Sequence, residues 1–203
     1  MKRTVLFLTL ALFLVVSCSK EDDPQPATSE TNTMNIDASS DSTWHYFSFS
    51  EQQFIGSGTE DPATNAEWFA RDDWDIAVMR YFIRTNSGDA TTIGSQGGVY
   101  TCEESIEFAT LEEVPSGATF ETDQTVTKSS HGNTYDIVLS TAQVIQFQQN
   151  PDGSLVMPPV YLQSPVYIFK SADGEETHKV NFTQYINADG DSGHVVFESA
   201  QLF

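Results

Sequence analysis

The feature that most constrains this chain is the recurrence of short apolar or alternating runs, rich in Val, Ile, Phe, Tyr and Thr, between clusters of turn residues. Few of these runs carry the 3.6-residue period of an amphipathic helix, so an all-β, mostly antiparallel fold is expected. Candidate strands cover residues 34–37, 44–50, 74–85, 99–102, 135–140, 144–148, 166–171, 179–184 and 194–200. The breaks at 56–58, 86–88, 94–98, 150–153, 172–174 and 189–193 are rich in Gly, Asn, Asp and Ser. These residues supply positive φ or side-chain-to-backbone hydrogen bonds, and a meander of hairpins follows. Two stretches, 65–73 with Trp68 and Phe69, and 105–113, are expected to form short helical turns.

The amino terminus reads differently. Lys2 and Arg3 precede an apolar run over residues 5–16 that closes on Val15-Val16-Ser17-Cys18. About a dozen apolar residues are too few for the ~20 that span a bilayer, and the positive start fits a secretory signal. A cysteine at the cut adds lipidation. Residues 1–17 are therefore expected to be a lipoprotein signal peptide, with Cys18 the lipidated first residue of the mature chain. Residues 18–33 have the Ser, Thr, Asp, Glu, Pro and Asn composition of a flexible tether. Residues 34–203 then form one domain, large enough to fold without staples. Ser19-Lys20-Glu21-Asp22-Asp23 resembles the acidic export tag of surface lipoproteins of Bacteroidota, which implies a lipid-anchored position on the outer membrane, facing out.

Charge and residue inventory exclude several function classes. Loss of Lys2 and Arg3 moves the formal charge from -20 to -22, which disfavours nucleic acid and anionic lipid as partners. There are two cysteines, so with Cys18 lipidated Cys102 has no partner in the chain and reads as a small buried hydrophobe. His45, His131, His178 and His194 lack the spacing of a structural zinc site. No Gly-x-Ser-x-Gly elbow, phosphate-cradling loop or dinucleotide fingerprint is present, and no two carboxylates stand out as a glycosidase pair. Asp189-Gly190-Asp191 near Asn187 reads as a hairpin turn, since the twelve-residue loop of an EF-hand is missing. The chain is expected to bind rather than catalyse. Soft ligands in loops remain: Met157, held before the rigid Pro158-Pro159, and His131 in the polar turn Ser129-Ser130-His131-Gly132-Asn133. Haem iron accepts both a thioether and an imidazole as axial ligands.

Ile36-Asp37-Ala38-Ser39 with Trp44-His45-Tyr46-Phe47-Ser48-Phe49-Ser50, Asp73-Trp74-Asp75-Ile76-Ala77 with Arg80-Tyr81 and Arg84-Thr85-Asn86-Ser87-Gly88, Lys170-Ser171-Ala172-Asp173-Gly174, Lys179-Val180-Asn181-Phe182-Thr183-Gln184-Tyr185 and Ser192-Gly193-His194-Val195-Val196-Phe197 together resemble the HmuY family of haem-binding surface lipoproteins. The resemblance covers nearly the whole mature chain. It implies a mostly β protein that grasps haem between loops at one end and passes it to a TonB-dependent receptor, with host haemoproteins as a source. One family member uses two histidines as axial ligands and others use methionines. The resemblance puts the second ligand just before Pro159-Val160-Tyr161, where Met157 lies, and the first before the strand of Tyr135, where His131 lies. Met79, before Arg80-Tyr81, is a reserve ligand on a strand. Tyr135, Phe147 and Tyr161 are expected to cover the porphyrin faces, with strand core as their other reading. A thioether favours ferrous iron, so reduced haem is expected to bind better than oxidised haem. Two other readings stay open. A surface lipoprotein of this fold could bind a glycan or a host protein, for which Trp44, Trp68 or Trp74 exposed in a groove would speak. An adhesin subunit assembled by strand addition would instead show an open sheet edge.

Overall fold

The computed structural model describes residues 29–130 and 132–203. In chain order the elements are β1 (Asn32–Asp37), β2 (Thr43–Ser48), β3 (Gln53–Thr59), helix α1 (Pro62–Phe69), β4 (Ile76–Met79), β5 (Phe82–Thr85) and β6 (Gly98–Thr101). There follow a 3-10 turn (Phe108–Thr110), β7 (Gln124–Ser130), β8 (Asn133–Leu139), β9 (Ile145–Phe147), β10 (Tyr161–Gln163), β11 (Tyr167–Lys170), β12 (Thr177–Ile186) and β13 (Ser192–Leu202). The all-β expectation holds, and every strand pair is antiparallel.

One sheet has five strands in the order β1-β13-β12-β11-β6, and a second has four in the order β3-β2-β4-β5. Their facing sides share a core of Phe47, Ile76, Val78, Ile83, Phe169, Val180, Phe182 and Phe197. The other side of the four-stranded sheet is also covered. Trp44, Tyr46, Ala77 and Met79 pack there against Trp68 of α1, Trp74, and Ile137 and Leu139 of β8. Burial on both faces explains why β4 reads Ile-Ala-Val-Met without alternation. The outer side of the five-stranded sheet is closed by the segment carrying Ile106, Phe108 and Leu111, which packs on Cys102, Val166, Ile168 and Leu202. Cys102 is buried as expected, and burial pushes its thiol up to about 11.

Several expectations on element bounds are corrected. The run 74–85 is not one strand but the hairpin β4–β5, because Arg80 turns the chain with a φ of 55°. Its backbone N–H and guanidinium hold that turn against the carbonyls of Ala38 and Ser39 and against Ser192 Oγ. Residues 56–58 are not a break. Gly56 and Gly58 lie inside β3, where a Cβ would come within 2.8 and 2.5 Å of the Trp68 ring, so glycine here makes room for the indole of α1. Helix α1 starts earlier than residue 65, capped by Asp61, whose carboxylate accepts from Ala63 and Thr64 N–H. The helical turn of 105–113 shrinks to the 3-10 turn. Asn187 accepts from the N–H of both Asp189 and Asp191, so that segment is the hairpin turn its sequence suggests.

Candidate functional site

The loop end is built by the β4–β5 turn, the β7–β8 hairpin, the β9–β10 ribbon and the β12–β13 hairpin. At the ribbon, Phe147 and Tyr161 are direct cross-strand partners, with ring centroids 5.5 Å apart. Tyr161 meets Tyr185 of β12 at 5.4 Å, and Phe147 meets Tyr81 of the β4–β5 turn at 4.9 Å. All three contacts are edge-on, the preferred geometry for rings of like quadrupole. Tyr81 also leans on Phe82 at 4.3 Å. Burial raises the phenols of Tyr81 and Tyr185, so both stay protonated at neutral pH and serve as apolar walls that carry a hydroxyl.

Exposed apolar surface gathers at this end. Of the nine large hydrophobic side chains that are exposed among the described residues, seven belong to these elements: Tyr135, Leu155, Met157, Val160, Tyr161, Leu162 and Ile186. Scattered single residues would need no explanation, whereas a contiguous patch marks a contact surface. Two cavities flank the ribbon. One of about 510 Å³ is lined by Gln143, Gln146, Phe147, Leu155 and Tyr167, and one of about 310 Å³ by Ile145, Tyr161, Leu162, Phe182 and Tyr185. A further cavity, of about 990 Å³, lies at the opposite end of β12 between Lys179, Leu111 and Phe203.

The residues singled out in the sequence fall out unevenly. Met157 stands 74% exposed on the loop that joins β9 to β10, and its peptide bond to Pro158 is cis. That loop is ordered from within: Val156 N–H donates to Gln148 O at 3.0 Å, and Asn150 and Ser154 close a turn capped by Asp152. Those hydrogen bonds lower the Asp152 carboxyl below its usual range. Tyr161 borders the same loop, and Tyr135 stands on β8, opposite Lys128. Phe147 is partly buried and packs against the main core. Met79 is 3% exposed among Trp44, Trp68 and Trp74, so its thioether belongs to the core and not to a surface site. His131 and Cys18 lie outside the described residues. The other histidines sit on β2, β12 and β13; His178 stacks on Phe49 at 4.4 Å with Nε2 2.9 Å from Glu176.

Sequence reading missed Tyr81 and Tyr185. Both lie where a strand gives way to a turn, and the available signal was a tyrosine at each of those boundaries. It also left open whether the tryptophans are exposed: Trp44, Trp68 and Trp74 are all buried. Among the described residues no group of three acidic, His or Cys side chains could hold a metal ion, and no helix is long and apolar enough to cross a membrane.

Two packed antiparallel sheets that present an aromatic, apolar loop end define an all-β binding scaffold. The chain belongs to the HmuY protein family, whose model matches residues 40–198. No curated protein matches it. Among solved structures it is similar to an HmuY-like protein of Bacteroides vulgatus ATCC 8482 described as a candidate heme binding protein, at 25% identity and TM-score 0.61 over 85% of this chain and 92% of that one. A candidate lipoprotein of Bacteroides fragilis NCTC 9343 matches at 22% identity and TM-score 0.55 over 83% and 89% of the two chains. The apo form of an HmuY analog from Tannerella forsythia matches at 18% identity and TM-score 0.56, over 87% and 97%. The last two speak for the fold alone.

Proposed function

We propose that this chain is a haem-binding surface lipoprotein that captures haem or a related tetrapyrrole as cargo, without catalysis. The observation that carries the reading is the concentration of exposed apolar side chains at one end, with a methionine thioether presented among them. The residues there fit a macrocycle. Met157 supplies a soft axial ligand and His131 the second, while Tyr135, Phe147 and Tyr161 offer faces for the ring, joined by Tyr81 and Tyr185. Bound haem supplies an iron that takes a thioether and an imidazole at its axial positions. Lipidation at Cys18 holds the protein at the outer face of the outer membrane, and the cargo, drawn from host haemoproteins, passes to a TonB-dependent receptor. With all three tryptophans buried, a glycan reading loses the aromatic platform that would have favoured it.

Titration of the mature chain with haem, under air and then with dithionite, tests this. A saturable one-to-one Soret change, tighter in the reduced state, is the expected outcome. Met157→Ala is expected to weaken ferrous binding by at least tenfold and shift the visible bands. An unchanged spectrum in Met157→Ala would remove the ligand assignment, and no saturable binding in either redox state would sink the haem reading.

A further inference from the structure

The described chain carries six cationic side chains of the Lys and Arg type, and five are committed elsewhere. Arg71, Arg80 and Arg84 pair with Asp73, Asp41 and Glu60. Lys179 donates to the carbonyls of Phe108 and Leu111, both at 2.8 Å, and Lys170 lies over Phe120 on the far sheet. Lys128, like Lys170, makes a cation–π contact and among the described residues has no carboxylate within ion-pair distance, and of the two it is the one that stands at the loop end.

Its position follows from the register of the β7–β8 hairpin. One face of that hairpin carries, in successive cross-strand pairs, Gln124 with Leu139, Val126 with Ile137, and Lys128 with Tyr135. Ile137 and Leu139 are buried against the tryptophan core, so this face points inward, and its outer end presents Lys128 and Tyr135 to the loop end. The Lys128 ammonium sits 5.4 Å over the Phe82 ring, and Phe82 is in contact with Tyr81 and through it with Phe147. The cation is thus held beside the aromatic cluster by a cation–π contact, and among the described residues its ammonium has no carboxylate partner.

We propose that Lys128 binds a carboxylate of the tetrapyrrole, which makes the ligand class a tetrapyrrole with free acid side chains. This rests on the cargo reading given above. The chemistry is selective because the chain carries a formal charge of -20, and an anionic ligand approaching it gains most from an unpaired cation at the site. Lys128 is a specificity-determining residue and not an iron ligand.

The test compares ferrous haem with the ferrous dimethyl ester of haem on the full mature chain, in wild type, Lys128→Gln and Lys128→Arg. Wild type is expected to bind the diacid about three- to fivefold more tightly than the diester, the range of one partly exposed ion pair. Lys128→Gln is expected to lose that preference while its diester affinity is unchanged, and Lys128→Arg to keep it. Binding of the diester reports in the same experiment that the site is folded. Equal affinities in wild type, or a preference that survives in Lys128→Gln, overturn the proposal while leaving the cargo reading intact. No saturable binding of either compound overturns both.

Discussion

Arg84 is a heavily engaged side chain. It is fully buried, lies 3.9 Å from the Trp44 ring and 5.0 Å from that of Phe69, and donates to Glu60, Asn65 and the Val138 carbonyl. Trp44 Nε1 donates to the same Glu60 carboxylate. A buried cation tolerated this way needs every donor satisfied, and removing one partner strands the other. Arg84→Met is expected to cost about 3 kcal/mol in denaturant unfolding, the low end for a broken buried pair, because Glu60 keeps 19% of its side-chain exposure. Asp123 presents the opposite case. Burial pushes its carboxyl up to about 7, against hydrogen bonds from Thr85 that hold it down. Between its ordinary value of 3.8 and about 7 the unfolded chain has lost this proton and the native chain still keeps it, so rising pH favours unfolding. Over that window stability should fall with a slope approaching one proton, about 1.4 kcal/mol per pH unit. Asp123→Asn should flatten the profile, and urea midpoints from pH 4 to 8 would read it; a profile as steep as wild type would refute the assignment.

At the scale of elements, α1 depends on two glycines of a strand. A Cβ at Gly58 would reach 2.5 Å from Trp68 Nε1, inside any tolerable contact. Gly58→Ala is therefore expected to unseat Trp68 from its stack on Tyr46, where the ring centroids are 3.7 Å apart, and to cost about 1–3 kcal/mol. Tryptophan fluorescence shifted to the red, together with a lower unfolding midpoint, would confirm it. That arrangement also shows what sequence reading could reach. Strands whose apolar residues face the core, such as β11 and β13, were legible because burial leaves a pattern in the residue types. Strand β3 was not, since the glycines that admit Trp68 look like turn chemistry. Strand β7 was not either: Gln-Thr-Val-Thr-Lys-Ser-Ser is largely exposed and has little apolar alternation to read. In the site, Met157 and Tyr161 could be named because an exposed loop leaves polar-to-apolar contrasts. The burial of Met79 could not be told, because a methionine on a strand packs inward or outward with the same spelling.

At the scale of the whole molecule, the two sides of the loop end differ in how they are held. On one side of the loop end, Tyr81 stands on a turn pinned by Arg80 and backed by a sheet buried on both faces. On the other side, Phe147, Met157 and Tyr161 ride on a ribbon of two three-residue strands, β9 and β10. Amide exchange should report this contrast: slow at β4, limited by global opening, and faster by orders of magnitude at Tyr161, Leu162 and Gln163, whose side chains are all exposed. Uniform protection across both would contradict it. An anvil and a strap describe such a grip. Under the proposed function, loading and unloading would require work against the strap alone, and lifting the β9–β10 ribbon would free the cargo while the rest of the protein stays folded.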